Sequence, residues 1–287
     1  MRSFKLKRNT KIAISLVYYA MRAIFRFLLH LAGRASKQHL TILYYHGMSN
    51  DDRVNFVRQM DALHRGANVV PASYRGELPS RKKCVAITFD DAFCSVAENA
   101  LPELAKRSFH STIFVPVGWL GRTPGWVMED EPSEAVKGSA KLAEVVMSPE
   151  QLKSLNIALV ALGSHTITHP SMLELDRKRA RTEIEDSRNH LSELTGREIH
   201  DFSFPYGVHD ASTIAMCRRA GYESVYSIAP QDVDTTSSVL LRGRTKVDPS
   251  DGPIEFFLKF NGAYQWMEAP LGAKLRSLLR QRTVAKY

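Results

Sequence analysis

Val85-Ala86-Ile87-Thr88-Phe89-Asp90-Asp91 is an apolar and β-branched run that ends in two adjacent carboxylates. It reads as a buried strand with an acid pair at its end. Neighbouring side chains on a strand point to opposite faces, so the two acids can serve different partners. Two carboxylates at the mouth of an apolar strand repel, and a nearby cation relieves that repulsion. Gly163-Ser164-His165-Thr166-Ile167-Thr168-His169-Pro170 supplies candidate ligands for such a cation.

Working outward, the chain alternates strand and helix patterns. Thr41-Ile42-Leu43-Tyr44-Tyr45-His46 predicts a first strand with His46 at its mouth, and on spacing alone this histidine reads as structural. Residues 51–66 predict a helix with Phe56, Met60 and Leu63 inward, and Val69-Val70 a short strand. After the acid pair come a helix carrying Val96, Leu101, Leu104 and Ala105, then the strand Ser111-Thr112-Ile113-Phe114-Val115-Pro116. Residues 121–147 read as an excursion with a helix of its own. Ser148-Pro149-Glu150-Gln151 is a helix start, with a capping serine, a proline at the first position and Gln151 closing the box.

Residues 157–162 predict the strand that delivers the two-histidine loop, and residues 176–194 a long charged helix closed by Gly196. Phe202-Ser203-Phe204 predicts a strand running into the tight turn Pro205-Tyr206-Gly207. Residues 211–221 predict a helix, with strands at 223–229 and 239–247. Such alternation over about 230 residues predicts an α/β fold with a largely parallel sheet, closed as a barrel.

The 287 residues carry a net charge of +9, unevenly placed. Residues 1–38 hold nine Lys/Arg and no acid, which leaves thirty basic and thirty acidic residues in the remainder. A nucleic-acid enzyme concentrates its basic surface around the working site, and here that charge lies in the arm, so nucleic acid is not an expected partner. On a helical projection Lys7, Arg8, Lys11, Ser15, Arg22, Arg26 and His30 fall within an arc of about 140°. Ile12, Ile14, Leu16, Val17, Ala20, Phe25, Phe27, Leu28 and Leu31 cover most of the rest. This amphipathic pattern suits an in-plane helix on an anionic membrane surface. A terminal helix docked on its own domain and a cleaved signal peptide are the other two readings. Arg22 and Arg26 argue against a spanning helix. The expected organisation is a basic arm at 1–38, a barrel at 39–265 and a helical tail at 266–287. Cys84, Cys94 and Cys217 have no metal-ligand spacing and read as free thiols, favouring the cytoplasmic face, with a periplasmic or secreted location as the alternative.

The chemistry lies in the co-occurrence of motifs. His165 and His169 on one loop, together with Asp91, give two imidazoles and one carboxylate, which leaves positions open for water and substrate. Asp90 then stays off the metal and takes a proton from the attacking water. A tetrahedral oxyanion needs a backbone N–H as well, and the Pro205-Tyr206-Gly207 turn offers one.

Thr88-Phe89-Asp90-Asp91, Ser164-His165-Thr166-Ile167-Thr168-His169-Pro170 and Phe204-Pro205-Tyr206-Gly207 occur in an order and spacing that resembles the polysaccharide deacetylase family, the carbohydrate esterases with a NodB-type domain. The likeness covers roughly residues 40–262. It implies a distorted (β/α) barrel, a divalent metal (Zn2+ above others) held by Asp91, His165 and His169, Asp90 as catalytic base and the Tyr206 backbone N–H at the oxyanion. It also implies an N-acetylated carbohydrate substrate that loses acetate.

Three departures matter. The family's third motif often carries an arginine where this chain has Ser203 or Phe204. Ala92 stands where the family usually has glycine. The family's late leucine-histidine motif is missing, because no histidine follows His209. In the subgroup that resembles poly-N-acetylglucosamine deacetylases the acid histidine comes from an early Tyr-His segment, and Tyr44-Tyr45-His46 matches that arrangement. His46 is then the acid that protonates the leaving amine. Arg242 or Arg244 is expected behind Asp90, and sequence does not choose between them. Trp119, Trp126 and Tyr206 offer flat faces to sugar rings, with core packing the expected role of at least one of the tryptophans, and His209 is a candidate for the cleft rim. The rival readings are a catalytically silent carbohydrate-binding relative and a non-haem iron oxygenase using the same two histidines and carboxylate.

Overall fold

The computed structural model describes residues 2–34, 37–79, 82–126 and 144–268, with side chains from residue 8 onward. In chain order the elements are α1 (Arg2–Leu31), β1 (Leu40–Tyr45), α2 (Arg53–Gly66), β2 (Ala67–Val69), β3 (Lys83–Phe89), α3 (Leu101–Ala105), β4 (Ser111–Val115), α4 (Pro149–Ser154), β5 (Val160–Ser164), α5 (Arg177–Thr195), β6 (Asp201–Ser203), α6 (Ala211–Arg219), β7 (Ser224–Tyr226), β8 (Leu241–Arg242), β9 (Thr245–Lys246) and α7 (Pro253–Phe260). The expected helix within 121–147 and most of the expected C-terminal helix lie outside the described residues.

The quoted strand is β3. All its residues after Lys83 are buried, as a strand covered on both faces requires. β1 pairs with it in parallel from Leu40↔Cys84 to Tyr45↔Phe89. On its other edge β2 pairs with residues 83–85 and β4 with residues 87–89. The sheet continues through β5, β6, β7 and β8 on one side and ends at β9 beyond β1 on the other.

β8 and β9 are the two ends of that order, yet only Gly243 and Arg244 separate them in the chain. The sheet therefore curls until both edges meet on one short stretch, which gives the expected distorted barrel. Residues 239–247 are not the single strand expected. Val225 pairs with Leu241 at one edge, while Leu43 pairs with Thr245 at the other. Changing edges interrupts the ladder at Gly243, where any Cβ would overlap the Ala229 carbonyl oxygen and crowd Gln231.

Local signals place the helices well. Ser148 and Gln151 form the reciprocal capping box that starts α4. α5 stops at Gly196 in the left-handed conformation (φ 67°).

Arg8, Ser15 and Arg22 of the predicted basic stripe on α1 face the barrel, whereas Arg26 and His30 are exposed. Arg8 donates to Glu255 (2.6 Å), and Arg22 to Asp232 (3.0 Å), the Gly262 carbonyl (2.9 Å) and Gln265 (2.9 Å). The Trp266 indole donates to Ser15 (2.9 Å), and Ile12 and Tyr19 pack against Leu258, Ala263 and Tyr264. Of the three readings of the arm, docking describes these contacts. The apolar side of α1 points outward.

Candidate active site

The motif residues converge because each follows the C-terminal end of a parallel strand, and in such barrels those ends share one mouth. His46 follows β1, Asp90 and Asp91 follow β3, His165 and His169 follow β5, and Tyr206 follows β6.

Asp90 is buried at 4% exposure, and its backbone N–H donates to the Tyr45 carbonyl at 2.9 Å. Arg244 grips its carboxylate in a fork, Nη1 to Oδ1 at 2.7 Å and Nη2 to Oδ2 at 2.9 Å. The same guanidinium donates to Thr88 Oγ1 (3.2 Å), Ser203 Oγ (2.7 Å) and the Ser227 carbonyl (3.2 Å), so every N–H on it has a partner. Tyr44 and Phe114 rings lie 4.8 and 5.2 Å from its central carbon. Burial by itself would raise the Asp90 carboxyl, but the Arg244 charge and hydrogen bonds, together with His165 and His46, outweigh it and hold the group at about 2.

Sequence left Arg242 and Arg244 equivalent, and the structure separates them. Arg242 is equally buried but donates to the Ala72 (2.7 Å) and Tyr74 (3.2 Å) carbonyls, away from Asp90. Arg244 arrives from the barrel seam and bonds the Ser203 hydroxyl.

Asp91, His165 and His169 each aim one ligand atom at a common point, all within 4.8 Å of one another and all buried. Asp91 Oδ1 lies 3.3 Å from His169 Nε2 and 3.8 Å from His165 Nε2. His165 Nδ1 is 2.7 Å from the Ser203 carbonyl. A carbonyl oxygen only accepts, so Nδ1 carries the proton and Nε2 presents its lone pair to Asp91. Asp91 Oδ1 has no hydrogen-bond partner among the described residues. Burial, with Asp90 beside it, pushes the Asp91 carboxyl well above the usual range. Burial likewise lowers both imidazoles, His169 to about 2, so both are neutral ligands at pH 7. Two neutral imidazoles and a carboxyl group with an unpartnered oxygen, facing one another, form a donor set that gives up its carboxyl proton when a cation binds. A divalent metal fits it.

Backbone strain marks the same place. Outside glycine, left-handed φ occurs among the described residues at Asp91 (68°), Ala92 (50°), Thr166 (69°), His169 (60°), Tyr206 (56°) and, away from the site, Ser108 (52°). Five of the six lie in the three motif loops, where strain of about 1–3 kcal/mol each aims side chains inward. Ala92 adopts the conformation that glycine would take more cheaply there. Tyr206 lies 4.9 Å, ring to ring, from His169, so the expected oxyanion turn borders the candidate metal ligands. Trp126 stacks on His169 at 4.0 Å and Trp119 meets Trp126 edge-on at 5.4 Å, which walls the site with aromatic surface. His209 instead stacks behind the turn on Phe204 at 5.2 Å.

His46 is half-buried and lies edge-on to Tyr44 at 5.7 Å. Burial pulls its pKa down to about 4, against the pull of Asp90 in the other direction. It shares the electrostatic neighbourhood of Asp90, His165 and Arg244.

Sequence reasoning missed Glu183. This carboxylate on α5 is 5% exposed and accepts from the backbone N–H groups of Ile167 (2.7 Å) and Thr168 (2.9 Å) and from the Thr168 hydroxyl (2.6 Å). It therefore holds the loop between the two histidines. Ala180, Glu183, Ile184, Ser187 and Leu191 form the inward face of α5, and an acid in that stripe was the available signal.

Comparison with known proteins identifies the family. The family model described as polysaccharide deacetylase matches residues 77–225, more than half of the chain. The chain belongs to the polysaccharide deacetylase family. The Bacillus subtilis (strain 168) protein YxkH, provisionally named a polysaccharide deacetylase, is 24% identical over 221 residues, 73% of this chain and 72% of that protein. IcaB from Ammonifex degensii superposes with a TM-score of 0.62 at 25% identity, over 80% of this chain and 98% of that one. The Streptococcus pyogenes deacetylase PplD, solved in complex with acetate, superposes with a TM-score of 0.63 at 19% identity, over 78% of this chain and 99% of that one. The last likeness concerns the fold alone.

Proposed function

We propose that this deacetylase is a metal-dependent hydrolase that removes N-acetyl groups from N-acetylhexosamine units of a polysaccharide, oligosaccharide or glycolipid. The observation that carries the proposal is the division of labour at the end of β3. One carboxylate, Asp91, faces two neutral imidazoles, and its neighbour Asp90 is turned to Arg244. A divalent cation held by Asp91, His165 and His169, Zn2+ being the best match to such ligands, would supply Lewis acidity for the acetyl carbonyl and for water.

Asp90 accepts the proton of the attacking water. Arg244 keeps it ionised and fixes its orientation, and each oxygen retains a second lone pair for the water. A carboxylate held at about 2 is a weak base, so the water must be acidified for the transfer to proceed. The Tyr206 backbone N–H lies on the oxyanion side. His46 donates to the departing nitrogen as the C–N bond breaks, leaving acetate and a free amino sugar. Since its surroundings keep His46 neutral at pH 7, it takes up a proton from solvent as negative charge develops on the substrate and passes that proton to the leaving nitrogen, while Asp90 returns the water's proton to solvent. Trp119 and Trp126 provide the flat walls that sugar rings stack on. An iron oxygenase would share the metal ligands, but it would give the Asp90–Arg244 pair no task.

We infer further a peripheral membrane location. An 18-residue window of α1, within residues 8–31, with mean hydropathy 1.6 supports it, and the free thiols of Cys84, Cys94 and Cys217 favour the cytoplasmic face.

The test is acetate release from a panel of N-acetylhexosamine oligomers, polymers and glycolipids. Release should stop with chelator and return with added Zn2+. Metal-loaded protein that binds these sugars but releases no acetate from any of them would establish the silent sugar-binding reading instead.

A further inference from the structure

The membrane reading leaves open which side of α1 meets lipid, and the packing of the helix decides this. Three members of the basic stripe are engaged: Arg8 on Glu255 and Asp251, Arg22 on Asp232, Ser15 under Trp266. On the outer side Leu16, Val17, Met21, Ile24, Phe25, Phe27, Leu28 and Leu31 are 45–67% exposed. Between residues 13 and 32 the exposed positions include two polar side chains, Arg26 and His30, and are otherwise apolar or alanine. Resting on that membrane reading, we propose that α1 lies in the headgroup–acyl boundary with its apolar side down. Apolar burial attaches it there, while Arg8 and Arg22 hold the barrel instead of lipid phosphates.

A bilayer suits this surface better than a protein partner. Residues 23–28 are six successive exposed positions. At about 100° per residue they face every side of the helix, and five of the six are apolar or alanine. A protein partner covers one side and brings a polar rim, whereas lipid closes around a helix. The apolar surface also continues onto the barrel. Ile254 and Phe257, one turn apart on α7, are 62% and 41% exposed, and Phe257 touches Tyr19 at 5.3 Å.

Orientation follows from the latch. α7 begins just after β9, at the mouth end, and runs back along the barrel. Arg8 meets the start of α7 and Arg22 the residues just beyond its end, so α1 runs alongside the barrel from the mouth end. Past Arg22 about nine helical residues remain, roughly 14 Å, too short to cross a hydrocarbon core of about 30 Å. An in-plane α1 lays the barrel on its flank, and the mouth then opens along the membrane surface. Sugar chains or glycolipid headgroups lying on that surface are the substrates this arrangement reaches.

The full chain is sedimented with vesicles of phosphatidylcholine alone and of phosphatidylcholine with phosphatidylserine, at low salt and at about 0.5 M salt. Acetate release from a soluble oligosaccharide is followed in parallel. The expected result is binding to both vesicle types, changed less than about twofold by salt. The double substitution Phe25→Glu/Leu28→Glu should lower binding about tenfold or more while acetate release is kept. Binding that requires phosphatidylserine and disappears in salt overturns the proposal but leaves the membrane reading standing. Absence of binding to either vesicle removes both. A concentration-dependent dimer that the double substitution dissolves, with no vesicle binding, assigns the face to a second copy and overturns the proposal.

Discussion

At the mouth, Arg244 holds Asp90 through two bonds of 2.7 and 2.9 Å and has no exposed side-chain surface; on the flank, Arg22 holds Asp232 through one bond of 3.0 Å and is 22% exposed. Both aspartates are held at about 2, because in each case neighbouring partners outweigh a burial that would raise the carboxyl. The equal acidities conceal different roles. Asp232 is also bonded by Thr41 (2.6 Å) and paired with Lys83 (3.3 Å), so losing Arg22 leaves it with partners. Arg244 is the cation that faces Asp90, and without it a buried carboxylate stands almost unpaired. Redundancy suits a helix mount, and a single fixed partner suits a group that must present one orientation to a substrate.

The sharpest break in that comparison is Arg244→Met. Removing one partner of a buried pair should destabilise the fold by about 3–5 kcal/mol. Acetate release should fall by about 10³-fold. Denaturant melts and kinetics at a temperature where the variant remains folded would show both. Arg22→Ala should cost about 1 kcal/mol or less and leave release of acetate from soluble substrate unchanged.

His46→Ala comes next, with a fall in kcat of about 10²-fold and bound metal unchanged. Turnover like that of the wild type would remove the acid assignment. Glu183→Ala should act on the metal centre without touching substrate. It strands two backbone N–H groups between the histidine ligands, so affinity for Zn2+ should drop about tenfold or more, read by competition with a chromophoric chelator.

The smallest expected effect is a pH dependence of the flank. A carboxyl lowered in the folded state stabilises above its unfolded value and loses that contribution as pH falls through the folded one. For Asp232 the window runs from about pH 4 down to about 2. The α1 contact should therefore be intact at pH 5 and loosen below 4, visible as increased fluorescence change or quenching at Trp266. A loosening centred near pH 6 would point to a histidine.

The gathering of Asp91, His165 and His169 beside Asp90 was legible because each sits in a short local motif whose strand and loop are written in adjacent residues. The seam was not. β8 and β9 have two residues each, and their pairing with β7 and β1 is a property of closure. Arg242 and Arg244, two apart, read as neighbours on one strand face. Only the break at Gly243 sends one to the Ala72 and Tyr74 carbonyls and the other to Asp90. For α1, periodicity gave the basic stripe but not its direction, because its acidic partners lie more than 200 residues away in the chain.

The central claim is that Asp91, His165 and His169 hold a divalent ion while Asp90 moves a proton. Asp90→Asn, measured for bound metal and for acetate release on the same sample, tests it most directly. The account predicts about one ion per chain retained and release lowered about 10³-fold. Undiminished release, or loss of the ion along with the carboxylate, would contradict it.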